Sequence, residues 1–103
     1  MVDSSVAGLR LGQKVTSLQG RDRGRTYLIT GFLNEYYVLV ADGVNRTAQH
    51  PKKKNRRHLS VSPFVDEEIE AKLREGGRVT DEEIASAIRR WEEKAEEGEI
   101  SLG

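Results

Sequence analysis

The stretch Gly12-Gln13-Lys14-Val15-Thr16-Ser17-Leu18-Gln19-Gly20-Arg21-Asp22-Arg23-Gly24-Arg25 decides how the rest of the chain is read. A short β-prone run meets two glycines four residues apart, with three arginines in and beside that interval. Glycine opens backbone conformations that a side chain forbids, so Gly20 and Gly24 predict a tight loop that they themselves shape. Arginine carries a permanent charge on a planar fork of donors that suits phosphate. A loop of this make holds cations at a fixed point of a sheet, which points to nucleic acid before catalysis. The candidate contacts here are Arg21, Arg23 and Arg25. Asp22 departs from an all-basic loop and reads as a residue that orients Arg21 or Arg23, or holds the turn.

Downstream of this loop the pattern stays β as far as Ser62. Val15–Leu18 predicts a first strand and Thr26–Leu33 a second, with Tyr27, Ile29 and Leu33 on one face and Leu28, Thr30 and Phe32 on the other. Gly31 inside that run marks a bulge or a close backbone approach. Tyr36–Ala41, rich in β-branched and aromatic residues, predicts a third strand. Asp42-Gly43 predicts a two-residue hairpin turn into a fourth strand over Val44–Gln49. Pro51–Arg57 reads as a basic loop, and His58–Ser62 as a short fifth strand. Five short strands with tight turns predict a mainly β fold and a small barrel, because closure removes exposed edges.

The period changes after Ser62. Ser62 as cap and Pro63 at the first helical position predict a helix, with Val65, Ile69 and Leu73 recurring every four residues. Gly76-Gly77 ends it. Thr80-Asp81-Glu82-Glu83 forms a capping box for a second helix, with Val79 and Ile84 placed for a hydrophobic staple. Ile84, Ala87, Ile88, Trp91 and Ala95 make one apolar stripe, in which Trp91 docks the helix on the core. The expected organisation is a disordered tail over 1–9, the β unit over 10–62, an acidic helical appendage over 63–97 and a frayed tail over 98–103.

Charge follows the same division. The formal net charge is zero, yet residues 1–62 hold eleven Lys/Arg against four acids, while residues 63–103 hold six against thirteen. Such asymmetry between halves points to nucleic acid or to an acidic tail. It also predicts that the acidic segment folds over the basic one and competes with phosphates. Within the basic half, Lys52, Lys53, Lys54, Arg56 and Arg57 put five cations in six positions. Such a cluster releases counterions from a polyanion and gives salt-sensitive binding. Tyr36 and Tyr37, adjacent and so facing opposite ways, are candidates for stacking on unpaired bases.

Enzyme chemistry finds no support in these residues. The chain has no cysteine, which removes thiolate chemistry, disulfides and cysteine-bound zinc. The two histidines, His50 and His58, lack ligand spacing, and neither a nucleophile elbow nor a P-loop occurs. Neighbouring acids such as Glu67-Glu68 point apart on a helix and make no carboxylate dyad. No cofactor, no metal and no small-molecule substrate are expected. The N-terminus lacks a signal-peptide pattern and no apolar run approaches a membrane span, so a cytoplasmic monomer without membrane association is expected.

Leu11-Gly12-Gln13-Lys14-Val15, Gly20, Gly24-Arg25, the run Tyr27–Phe32, Tyr37-Val38-Leu39-Val40 and Asp42-Gly43 together resemble a KOW motif. A basic stretch leading into His58-Leu59, followed by helices, extends the similarity to archaeal and eukaryotic large-subunit ribosomal proteins of the L-fourteen-e type and their small bacterial relatives. The resemblance covers about residues 10 to 95. It implies an SH3-like five-stranded barrel and an RNA partner, ribosomal RNA or the ribosome, with a role linked to translation. It also implies that Gly20, Arg21, Arg23, Gly24 and Arg25 meet the phosphate backbone. A protein–protein adaptor, using the barrel or the acidic helices, is the alternative from another class.

Overall fold

The computed structural model describes residues 8–102, with side chains described through Glu93. The elements are β1 (Gln13–Ser17), β2 (Thr26–Phe32), β3 (Tyr37–Ala41), β4 (Lys52–Asn55), a 3-10 turn (Arg56–His58), β5 (Leu59–Val65), α1 (Glu67–Arg74) and α2 (Asp81–Leu102). The five strands form one antiparallel sheet in the order β4-β3-β2-β1-β5. A mainly β fold with two C-terminal helices is therefore present. Its sheet is not closed by hydrogen bonds: β4 and β5 lie at opposite edges.

The two faces of the sheet bury different clusters. Leu9, Val15, Tyr27, Ile29, Val38, Val40 and Leu59 pack on one. On the other, Leu28 and Ala41 meet Ile69 of α1, Val79, and Ile84, Ala87 and Ile88 of α2. Alternation along each strand divides these residues, since successive side chains point to opposite faces. In β2 the alternation breaks. The register against β3 shifts between Ile29 and Gly31, and a Cβ on Gly31 would stand 3.2 Å from Leu39 Cδ1. One extra residue reverses the phase, so Phe32 joins Tyr27 and Ile29 while Leu33, expected with them, is exposed.

The fourth strand is not where the hairpin signal puts it. The Asp42 carboxylate accepts from the backbone N–H of Val44, Asn45 and Arg46 at 2.8–2.9 Å, which winds the chain into a wide loop instead of a two-residue turn. Those contacts hold the Asp42 carboxyl below the usual carboxylate range although burial opposes its charge. Gly43, at φ +82°, lies where a Cβ would come within 2.3 Å of the Asp81 carbonyl, and Asp81 Oδ1 accepts from Ala48 N at 2.7 Å. Helix α2 thus holds this loop, and pairing with β3 resumes only at Lys52. The predicted basic loop over Pro51–Arg57 is therefore a strand followed by a 3-10 turn. Its lysines suit an edge position, where charge discourages further pairing.

The start of α1 also differs from expectation. Ser62 and Pro63 belong to β5, which pairs only with β1 and so tolerates a residue without an N–H. Asp66 is the cap, accepting from Ile69 N at 3.0 Å. Gly76, at φ +79°, ends the helix in a Schellman arrangement: Gly77 N donates to Lys72 O at 2.8 Å and Gly76 N to Leu73 O at 3.1 Å. The capping box of α2 forms reciprocally, with Thr80 N donating to Glu83 Oε1 at 2.9 Å and Glu83 N to Thr80 Oγ1 at 3.1 Å. Val79 and Ile84 are both buried beside it. Trp91 is partly buried and stacks on Phe64 of β5, with centroids 5.9 Å apart. Ala95, the last member of the predicted stripe, and residues 1–7 of the predicted tail lie outside the residues so described.

Candidate nucleic-acid interface

The Gly20–Arg25 loop is built by its own backbone. Gly24 N donates to Ser17 O at 2.8 Å and Ser17 N to Arg25 O at 2.9 Å, closing the loop where β1 and β2 part. Two turns follow one another inside it, with Arg23 N on Gly20 O and Arg25 N on Asp22 O. Gly20 and Gly24 both have φ near +90°, and a Cβ on Gly24 would meet nothing within 4 Å. Glycine serves conformation here, not space. Arg21, Arg23 and Arg25 are exposed.

Asp22 points the other way and is buried. Its carboxylate accepts from Tyr27 Oη at 2.7 Å and Ser17 Oγ at 2.9 Å. Lys52 Nζ at 3.0 Å and Lys54 Nζ at 3.2 Å pair with the same group. Burial opposes its charge, but these four donors outweigh burial and hold the Asp22 carboxyl far below the ordinary carboxylate range. The Tyr27 hydroxyl responds in the opposite sense. Burial and the adjacent carboxylate push it up to about 12. Lys54 also donates to Gln19 O at 3.2 Å, and Leu18 N donates to His58 O at 2.8 Å. The glycine loop is thereby fastened to β4 and to the 3-10 turn, and the two basic segments of the sequence are neighbours.

Within the second segment the cations have unequal settings. Lys52 is partly buried and Lys54 buried, both turned to Asp22. Lys53, between them, is exposed on the opposite side, its ammonium 4.7 Å from the centre of the Tyr37 ring. Arg56 is partly buried and Arg57 exposed, the latter's N–H held by the Asn55 side chain at 2.9 Å. Arg56 N donates to Tyr36 O at 2.8 Å. Tyr36 is 54% exposed, whereas Tyr37 is partly buried.

Asp22 does not orient Arg21 or Arg23; it joins the loop to β4. A sequence signal for this existed, since one acid inside a cation-rich loop needs a partner, but nothing in the loop told which cation it would choose. Helix α2 approaches this surface at Arg25, which lines a cavity with Ala85, Ile88, Arg89 and Glu92, but no ion pair among the described residues joins the acidic helices to it. Among the described residues their ion pairs engage Arg10 with Glu70, Lys72 with Glu83, Arg89 with Glu82 and Arg90 with Asp66, and none reaches the loop or β4. Also among the described residues, no group of three or more His, Asp or Glu is placed to hold a metal ion, and no helix is long and apolar enough to cross a membrane.

Fold and site define a small protein with a five-stranded antiparallel sheet, helices on one face, and a cation-rich edge tied by a buried carboxylate. No family model matches the chain. It is 40% identical over 70 residues to a protein of Bacillus subtilis (strain 168) named "Putative ribosome-binding protein YbzG", a match spanning 68% of this chain and 95% of the relative's length. The chain belongs to the same family as that protein.

Proposed function

We propose that this protein is a cytoplasmic, monomeric RNA-binding protein that acts on the ribosome, with a KOW-type, SH3-like arrangement of its strands. The observation that carries the reading is the Asp22 junction, which holds two cationic segments, the β1–β2 loop and β4, side by side. The ribosome-binding name of the Bacillus subtilis relative supports the choice of RNA. Arg21, Arg23 and Arg25 meet phosphates from the glycine loop. Lys53 and Arg57, with Arg56 and Lys52 at the margin, meet them from the neighbouring strand and turn. Lys54 serves from beneath, as a tie. Recognition rests on the shape of the backbone, because phosphates carry no sequence and the major groove of A-form RNA is too narrow to be read.

Co-sedimentation with ribosomes and filter binding to ribosomal RNA across a salt series test this. The double change of Arg21→Gln and Arg23→Gln should weaken both and reduce the salt slope by about 0.7 to 0.9 for each phosphate that is no longer neutralised. An unchanged slope removes the loop from the interface. Protein partners that survive nuclease treatment, with no RNA retained, would replace this reading with an adaptor.

A further inference from the structure

The adjacent tyrosines where the β2–β3 turn enters β3 have different fates. The Tyr37 ring has the Lys53 ammonium over its face. Tyr36 is 54% exposed, and no aromatic stacking or cation contact involves its ring among the described residues. Its turn is fixed all the same: the Asn34 side chain accepts from Tyr36 N at 2.8 Å and from Tyr37 N at 3.0 Å. Register adds the second half of the site. Tyr37 pairs with Asn55 and Val38 with Lys54, so Tyr36 stands opposite Arg56, as the bond from Arg56 N to Tyr36 O shows. That backbone bond holds Tyr36 against Arg56, the first residue of the 3-10 turn, with exposed Arg57 next in the chain.

An exposed ring on a fixed turn, next to cations, has the chemistry of a stacking platform for a nucleobase whose flanking phosphates are neutralised at the same time. Bases inside a continuous A-form helix are already stacked and cannot use it. We propose that Tyr36 stacks on an unpaired nucleotide of the bound RNA, and that Arg56 and Arg57 hold the phosphates on either side. The ligand class is thereby RNA with a bulge or loop, rather than uninterrupted duplex. This inference rests on the RNA-binding reading above.

Two RNA hairpins test it, one fully paired and one carrying a single bulged 2-aminopurine, whose fluorescence is quenched by stacking. The unaltered protein should prefer the bulged hairpin and quench it. Tyr36→Phe should keep both properties. Tyr36→Ala should bind the bulged hairpin about tenfold more weakly without quenching, and bind the paired hairpin as before. Circular dichroism checks that each variant stays folded, as the exposure of Tyr36 predicts. Equal affinity for the two hairpins without quenching overturns the proposal. So does a Tyr36→Ala loss that is equal on both. Failure of the unaltered protein to bind either hairpin at low salt overturns the RNA-binding reading itself, and this inference with it.

Discussion

The glycine loop and strand β4 carry three cations each but use them differently. In the loop, Arg21, Arg23 and Arg25 are all exposed and the one acid, Asp22, turns inward. In β4, Lys52 and Lys54 turn inward to that acid and Lys53 alone is exposed. Backbone geometry makes the difference. A turn with two positive-φ glycines puts all three of its arginines outside and only its acid inside, whereas a strand sends alternate side chains to opposite faces. A run of cations is therefore not one patch. Two of the three β4 lysines hold the fold, and the loop supplies both the outer charge and the acid that the inner lysines need.

The sharpest break in this comparison comes from Asp22→Ala. It strips a buried carboxylate from Lys54, Lys52, Ser17 and Tyr27 at once and leaves the Lys54 ammonium buried without a counter-charge. Loss of one partner from a buried pair costs about 3–5 kcal/mol, to be read from urea denaturation. The pH dependence follows from the sign of the shift. A carboxyl held below its unfolded value of about 3.9 contributes its full stability above that pH and loses it as the pH falls toward the lowered folded value. The advantage of the natural protein over Asp22→Ala should be constant above about pH 5 and shrink below about pH 4. Tyr27 gives the mirror case: its contribution is complete below about pH 10 and fades as the pH rises through about 12.

Lys54→Met sharpens the distinction on the β4 side. The stem stays and the charge goes, so Asp22 retains Lys52, Tyr27 and Ser17 while Gln19 O loses one of its two donors. Loss of a hydrogen bond to a charged group costs about 2 kcal/mol. The salt dependence of RNA binding should be unaltered, because Lys54 does not face outward. A fall in the salt slope without loss of stability would reverse the assignment.

These same residues mark how far the sequence could be read. The glycine loop was legible because glycines and arginines differ in kind, and their spacing stands out. The capping box at Thr80–Glu83 was legible because both partners lie within one turn. Strand β4 was not, because its period of two is invisible in a run of identical lysines, and Pro51 argued against a strand. What makes it a strand is distant: the Asp42 loop, its contact with Asp81 of α2, and the carboxylate of Asp22 waiting across the sheet. Asp66 does not stand out as a cap because Ser62-Pro63 offers an equally good local signal, and only the pairing of β5 with β1 decides between them. Local chemistry reads from sequence; which charge meets which does not.

Gly24→Ala has a smaller effect than either charge change. Nothing crowds a Cβ there, so the penalty is the left-handed backbone alone, about 1–2 kcal/mol. Chemical denaturation checks that figure, and a salt series on RNA checks the consequence. If the loop serves by its shape, affinity should fall with the salt slope nearly intact until the arginines are displaced. A stability loss well above this range would mean that the loop adjoins something the Asp22 contacts do not include.

Lys53→Ala should be the mildest change in folding and the most informative in binding. Lys53 is exposed, and its one described interaction is with the face of Tyr37. An exposed cation over an aromatic ring contributes about 0.5–1 kcal/mol, so denaturation should hardly move. If Lys53 faces phosphate, its removal should lower the salt slope by about 0.7 to 0.9 while its inward neighbour's removal leaves the slope alone. Opposite results for adjacent lysines follow only from a strand with two faces. A flexible basic loop would average them, and equal slopes for Lys53→Ala and Lys54→Met would return that segment to the loop its composition suggested.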